Sequence, residues 1–119
     1  MAALTTAELT EFHQASLDIG LDVLVEVHSA EELEIALAIG ATLIGVNQRN
    51  LATFEVDHAR AHQLATLIPS GVVKVAESGV RNSDDARALR ESGYDAVLVG
   101  ETLITSEDIS ETLKGLLVR

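Results

Sequence analysis

Four apolar, β-branched runs in this chain end in polar tips whose residue types can do chemistry. Glu26 is embedded in Leu24-Val25-Glu26-Val27-His28, and Asn47, Gln48, Arg49 and Asn50 follow Thr42-Leu43-Ile44-Gly45-Val46. Glu77, Ser78 and Gly79 follow Val72-Val73-Lys74-Val75-Ala76, and Gly100 and Glu101 follow Ala96-Val97-Leu98-Val99. On a strand, Leu24, Glu26 and His28 share one face, as do Val73, Val75 and Glu77. A carboxylate desolvated by Val and Leu neighbours and crowded by a second carboxylate has its proton affinity raised, which suits a general acid or base. The competing reading is that both glutamates are simply solvated at strand ends. Arg49 has the fork to hold a carboxylate or phosphate, and Asn47 can fix an amine or hydroxyl. Turn chemistry accounts for the asparagines equally well. Gly79 and Gly100 allow the backbone close to a ligand, and the N–H groups after them can hold a phosphate. Glu101 would then have to turn its side chain away from the dianion and offer only its backbone N–H.

Parallel sheets covered on both faces need near-continuous apolar strands of this kind, and their ligands gather at the strands' carboxyl ends. Between the runs lie helix signals. Thr5 stands three residues before Glu8, a capping pair for a helix that Gly20 ends; Ser29 and Glu32 repeat the pattern before Gly40. Asp57 opens a third helix that Pro69, Ser70 and Gly71 terminate, Ser83 opens a fourth that Gly93 stops, and Ser106 caps a fifth. The stretch from Asn47 to Val56 is the longest without a pattern. The order is α(βα)4, one undivided unit over residues 1–119. Such units build either an open doubly wound sheet or part of a (β/α)8 barrel. An open sheet collects its ligand at one switch point, whereas here every strand ends in groups fit for a site, so half of a TIM barrel is expected.

The bulk composition sets limits. The chain has 119 residues, 47 % hydrophobic and 23 % charged, which excludes wholesale disorder. Eight Lys plus Arg stand against 19 Asp plus Glu, a formal net charge of −11, so neither nucleic acid nor an anionic membrane is an expected partner. There is no cysteine, hence no disulfide framework and no thiolate chemistry. No run approaches ~18 consecutive apolar residues, and a cytoplasmic location is expected. His58 and His62 have an i, i+4 spacing able to bind zinc, but no Glu follows His58, and the pair reads as a solvated helix face. His28 is placed to line a pocket rim or cap the next helix, and Lys74 to face outward near a strand start.

Taken together, Val23-Leu-Val-Glu-Val-His28, Ile44-Gly-Val-Asn-Gln-Arg-Asn-Leu51 with Thr53-Phe54, Ala76-Glu-Ser-Gly-Val80 and Ala96-Val-Leu-Val-Gly-Glu101 closely resemble the indole-3-glycerol-phosphate synthase family. The resemblance covers essentially the whole chain but only the second half of that family's barrel: the helix after strand four, then strands five to eight. Met1 to Leu4 resemble the tail of strand four. The resemblance implies an enzyme of tryptophan biosynthesis that decarboxylates and ring-closes 1-(2-carboxyphenylamino)-1-deoxyribulose 5-phosphate without metal or organic cofactor. It implies that Glu26 is a catalytic general base or second proton-transfer group. Asn47 and Arg49 would position the substrate's anthranilate, Glu77 and Ser78 would meet the substrate, and Leu98 would be an apolar wall. Ser78 and Gly79 would begin one phosphate loop, with Gly100 and Glu101 the second.

One departure limits what the chain does alone. The family's general acid is a lysine on strand three, and no Lys occurs here before Lys74. A fragment of such an enzyme, inactive in isolation, is therefore expected. Its expected partners are a phosphorylated small molecule and either the missing amino-terminal half-barrel or copies of itself, as a homodimer or higher even oligomer. A non-catalytic, self-assembling half-barrel that binds phosphorylated ligands is the alternative.

Overall fold

The computed structural model describes residues 4–49, 53 and 55–117. Residues 1–3 of the expected strand-four tail, and the Asn50–Ala52 and Phe54 part of the unpatterned stretch, lie outside them; Leu4, the last residue of that expected tail, is an exposed bend and not strand. The elements follow in the order α1 (Thr6–Asp18), β1 (Val25–Val27), α2 (Ala30–Ala38), β2 (Leu43–Asn47), α3 (His58–Ala65), β3 (Val73–Glu77), α4 (Ser83–Glu91), β4 (Ala96–Leu98), α5 (Glu101–Ile104) and α6 (Ile109–Leu116). The Thr5–Glu8 capping box forms in full: Thr5 Oγ1 accepts from the Glu8 N–H, and the Glu8 carboxylate accepts from the Thr5 N–H. Ser29 and Asp57 cap α2 and α3 as the sequence suggested.

Two expected caps move. Asn82, not Ser83, caps α4 by accepting from the Asp85 N–H, and Asp108, not Ser106, caps α6 by accepting from the Glu111 N–H. In each case an Asx side chain, as good an N-cap as serine, lies within two residues of it. Ser106 instead accepts from the Asp108 N–H just ahead of that cap. The one-turn α5 has no counterpart in the sequence pattern, because four residues are too few to display a helical period.

All four strands are parallel, in the spatial order β1-β2-β3-β4. An open doubly wound sheet would reverse its order at a switch point, so the unbroken sequence is that of a barrel segment. β2 and β3, flanked on both sides, each form five-residue strands, while β1 and β4 keep three because each edge has a single partner.

The two faces of the sheet differ sharply. Val25, Val27, Ile44, Val46 and Ala76 point to the helices and are buried with Leu33, Ala36, Leu64 and Leu89. Lys74, opposite Ile44 in the ladder, also faces outward at the start of its strand, and its N–H is held by Asp95. The opposite face, which would look toward a barrel axis, is open: Leu24 is 40 % exposed, Val73 46 % and Leu98 54 %. A single packed layer therefore holds this chain together, and its second layer is uncovered.

Candidate active site

At the carboxyl ends of the strands lies a cavity of about 1000 Å³. Glu26, Asn47, Arg49, Glu77, Ser78, Gly79, Leu98, Gly100 and Glu101, the residues nominated from the sequence, all line it. Asn47 is the centre of the acidic part. Its Nδ2 donates to Glu26 Oε1 at 2.9 Å, its Oδ1 accepts from the Arg49 N–H at 2.9 Å, and it sits opposite Glu77 in the β2–β3 ladder. Asn47 does both things: its bond to the Arg49 N–H two residues on is the turn chemistry of the competing reading, while its Nδ2 reaches Glu26 on the neighbouring strand.

The structure redistributes the burial expected of the two glutamates. Glu26 lies on the edge strand, and its side chain is 38 % exposed, with His28 Nε2 3.2 Å away. Glu77 lies on a central strand and is 4 % exposed. Burial first, then the negative charge of Glu26, pushes the Glu77 carboxyl up to about 7. Gly45 creates the seat: a Cβ there would stand on Glu77 Oε2 and 2.8 Å from its Cδ. Among the described residues Glu77 Oε2, buried against Gly45, has no hydrogen-bond partner. A carboxyl titrating near neutrality can give and take a proton at working pH.

On the other side of the cavity, Ser78 and Gly79 follow β3 with positive φ, +63° and +71°. Gly79 needs its missing Cβ, which would meet Val56 Cγ1 at 2.5 Å. Gly100 does not match it. Its φ is −123° and a Cβ there would meet nothing within 4 Å, so the two glycines are not an equivalent pair. Thr102 Oγ1 donates to the Val80 carbonyl at 2.6 Å and ties the two loops together. The Glu101 side chain stays at the mouth, pairing with Arg49 Nη2 at 3.1 Å, and both residues line the cavity.

Sequence reasoning missed part of the lining. His58, read as solvated, is half-buried, lines the cavity and bonds Gln48 Oε1 at 3.0 Å through Nδ1. Its partner Gln48 comes from the segment after β2, which a helix-face reading of His58 ignores. His62 turns elsewhere, to Ser92. No cluster of three metal-ligating side chains occurs among the described residues. His28 is not in the cavity lining and does not cap α2, which Ser29 does; its N–H donates to Glu32 at 2.8 Å just ahead of that cap. Arg81, two residues beyond Gly79, adds a cation to the wall and is paired to Asp85. No helix among the described residues is long and apolar enough to cross a membrane.

The fold is thus one half of a (β/α)8 barrel with a polar mouth of acids, amides and the positive-φ Ser78–Gly79 loop. The comparisons agree with this class and narrow it. The family model for indole-3-glycerol phosphate synthase matches residues 1–116, and the chain belongs to that family. An indole-3-glycerol phosphate synthase of Chlorobium phaeovibrioides is 48 % identical over 109 residues, 92 % of this chain and 42 % of the relative. One from an Arthrobacter species is 50 % identical over 105 residues, 88 % of this chain and 39 % of the relative. The chain therefore spans less than half the length of these relatives. Among solved structures, a mandelate oxidase mutant with a monooxide FMN adduct superposes at a TM-score of 0.70 with 18 % identity, covering 95 % of this chain and 38 % of its own. That likeness concerns the barrel fold alone.

Proposed function

We propose that this chain supplies the carboxy-terminal half of an indole-3-glycerol-phosphate synthase active site, a carbon–carbon lyase acting on 1-(2-carboxyphenylamino)-1-deoxyribulose 5-phosphate. The observation that carries the reading is Glu77, buried beside Asn47 and Glu26 with its carboxyl raised to about 7, in the same cavity as the Ser78–Gly79 loop. One end of the cavity is equipped for proton transfer and the other for a phosphate. Glu26 and Glu77 handle protons as carbon dioxide and water leave, Asn47 orients Glu26, and Arg49 meets the anthranilate end. Leu98 offers the apolar wall, and Ser78, Gly79, Gly100 and Glu101 surround the phosphate. The reading needs no metal or organic cofactor, and it suits a cytoplasmic biosynthetic enzyme that binds neither nucleic acid nor membrane.

The general acid is the missing part. Lys74 and Lys114 are this chain's lysines, and neither lines the cavity. Losing a general acid typically costs ~10²–10⁴ in rate. The chain alone is therefore expected to release no measurable indole-3-glycerol phosphate. Turnover by the purified chain, free of contaminating synthase, would contradict this.

The open inner face supports a second reading for the isolated chain, a self-assembling half-barrel that still binds phosphorylated ligands. Among the described residues β1 and β4 each leave one edge unpaired, and Leu24, Val73 and Leu98 are exposed between them. Two copies related by a two-fold axis would pair both edges and cover both faces.

A further inference from the structure

Gln48 is fully buried, an uncommon place for an amide, and it belongs to none of the roles above. Every polar group it has is used. Its N–H donates to the Glu77 carbonyl at 3.0 Å, and its carbonyl accepts from the Asp57 N–H at 2.8 Å. Its Nε2 donates to the Ser78 carbonyl at 2.7 Å, and its Oε1 meets His58 Nδ1 at 3.0 Å. The chemistry fixes the direction of this chain. A carbonyl only accepts, so the NH2 end of Gln48 must face Ser78 and its oxygen must face His58. His58 Nδ1 is then the protonated nitrogen.

The consequence falls on the Ser78–Gly79 loop. Ser78 carries a Cβ and yet holds φ +63°, a conformation disfavoured for such a residue unless something over-determines it. The Ser78–Gly79 peptide is trans, so with its carbonyl drawn inward to Gln48 its N–H points the opposite way. That N–H belongs to Gly79, which lines the cavity. We propose that Gln48, itself held by His58, is the positioning residue that aims the Ser78–Gly79 loop at an anion. The proposal rests on the phosphate reading of the cavity.

The test uses the full 15N-labelled chain titrated with inorganic phosphate. Two readouts are followed: the Gly79 amide shift, and the strong intraresidue amide–α-proton NOE that marks positive φ at Ser78. Gln48→Met keeps the length and removes both polar ends. It is expected to weaken phosphate binding about tenfold and to abolish the Ser78 NOE, while β1 and α2 resonances stay in place. His58→Ala, which removes the partner of Gln48 Oε1 and leaves Gln48 itself in place, is expected to move both readouts the same way by a smaller factor. Unchanged phosphate affinity and an unchanged Ser78 NOE in Gln48→Met would overturn the proposal. Should that variant not fold, the same unchanged readouts in His58→Ala would do so. Phosphate-silent wild-type protein would instead overturn the phosphate reading, even with the Ser78 NOE lost in Gln48→Met.

Discussion

Replacing Glu77 with glutamine should remove a pH dependence of folding that its burial creates. The carboxyl rises from its ordinary 4.5 to about 7 on folding, for burial first and Glu26 second. Below pH 4.5 the group is neutral in both states and costs nothing. Between 4.5 and about 7 the unfolded chain has released the proton while the folded chain still holds it, so stability falls as pH rises. Above that window both states are ionised, and the folded state carries the whole penalty, about 3 kcal/mol at 1.36 kcal/mol per tenfold. Glutamine has nearly the same shape and cannot ionise. Any constant cost of a buried amide cancels when one protein is compared with itself at two pH values. Urea unfolding of both proteins at pH 4 and pH 8.5, at one fixed protein concentration, measures the effect. The stability of Glu77→Gln relative to the parent should rise by about 3 kcal/mol between the two pH values. A difference that does not change with pH would refute the burial argument.

Three further outcomes follow from particular contacts. Gly45→Ala places a Cβ against the Glu77 carboxyl and 3.2 Å from Leu24 Cδ1; it should cost about 1–3 kcal/mol and move the Glu77 titration back toward 4.5, with an unchanged 13C-carboxyl midpoint near 7 counting against it. Tyr94→Phe removes the hydroxyl that donates to the buried Ala61 carbonyl at 2.6 Å, and should cost about 1–2 kcal/mol by urea unfolding without changing the phosphate response at Gly79. The uncovered inner face should make the isolated chain a dimer or higher even oligomer, because salt screens the −11 charge beyond roughly 10 Å at 0.1 M and leaves apolar contact unscreened. Sedimentation equilibrium showing a well-folded monomer at micromolar concentration would exclude that assembly.

Much of this architecture is written locally in the chain. The β-branched runs around Val25, Ile44, Val75 and Val97 mark the strands, since a parallel sheet built to be covered on both faces demands apolar residues at consecutive positions. The Thr5–Glu8 and Ser29–Glu32 pairs mark two helix starts, because a capping box depends on residues three apart. The nominated site residues share one cavity because a parallel barrel sends every strand's carboxyl end to the same mouth. What was not legible depends on who sits beside whom. Glu26 and Glu77 look alike along the chain, and only the strand order makes one an edge residue and the other a central one. The value of Gly45 lies in a side chain 32 positions away, and Gln48 acts on a carbonyl 30 positions away. His58 reads as a helix-surface residue until α3 is docked with its first turn against the mouth.

The central claim is that this cavity is half of a synthase site, and reconstitution tests it most directly. The chain is mixed with the amino-terminal half-barrel of the Chlorobium phaeovibrioides relative, and release of indole-3-glycerol phosphate is followed by indole fluorescence. Neither half should turn over alone. The mixture should, and Glu26→Gln in this chain should abolish that turnover while the two halves still associate. A folded, associated mixture without turnover, or full turnover with Glu26→Gln, would contradict the account.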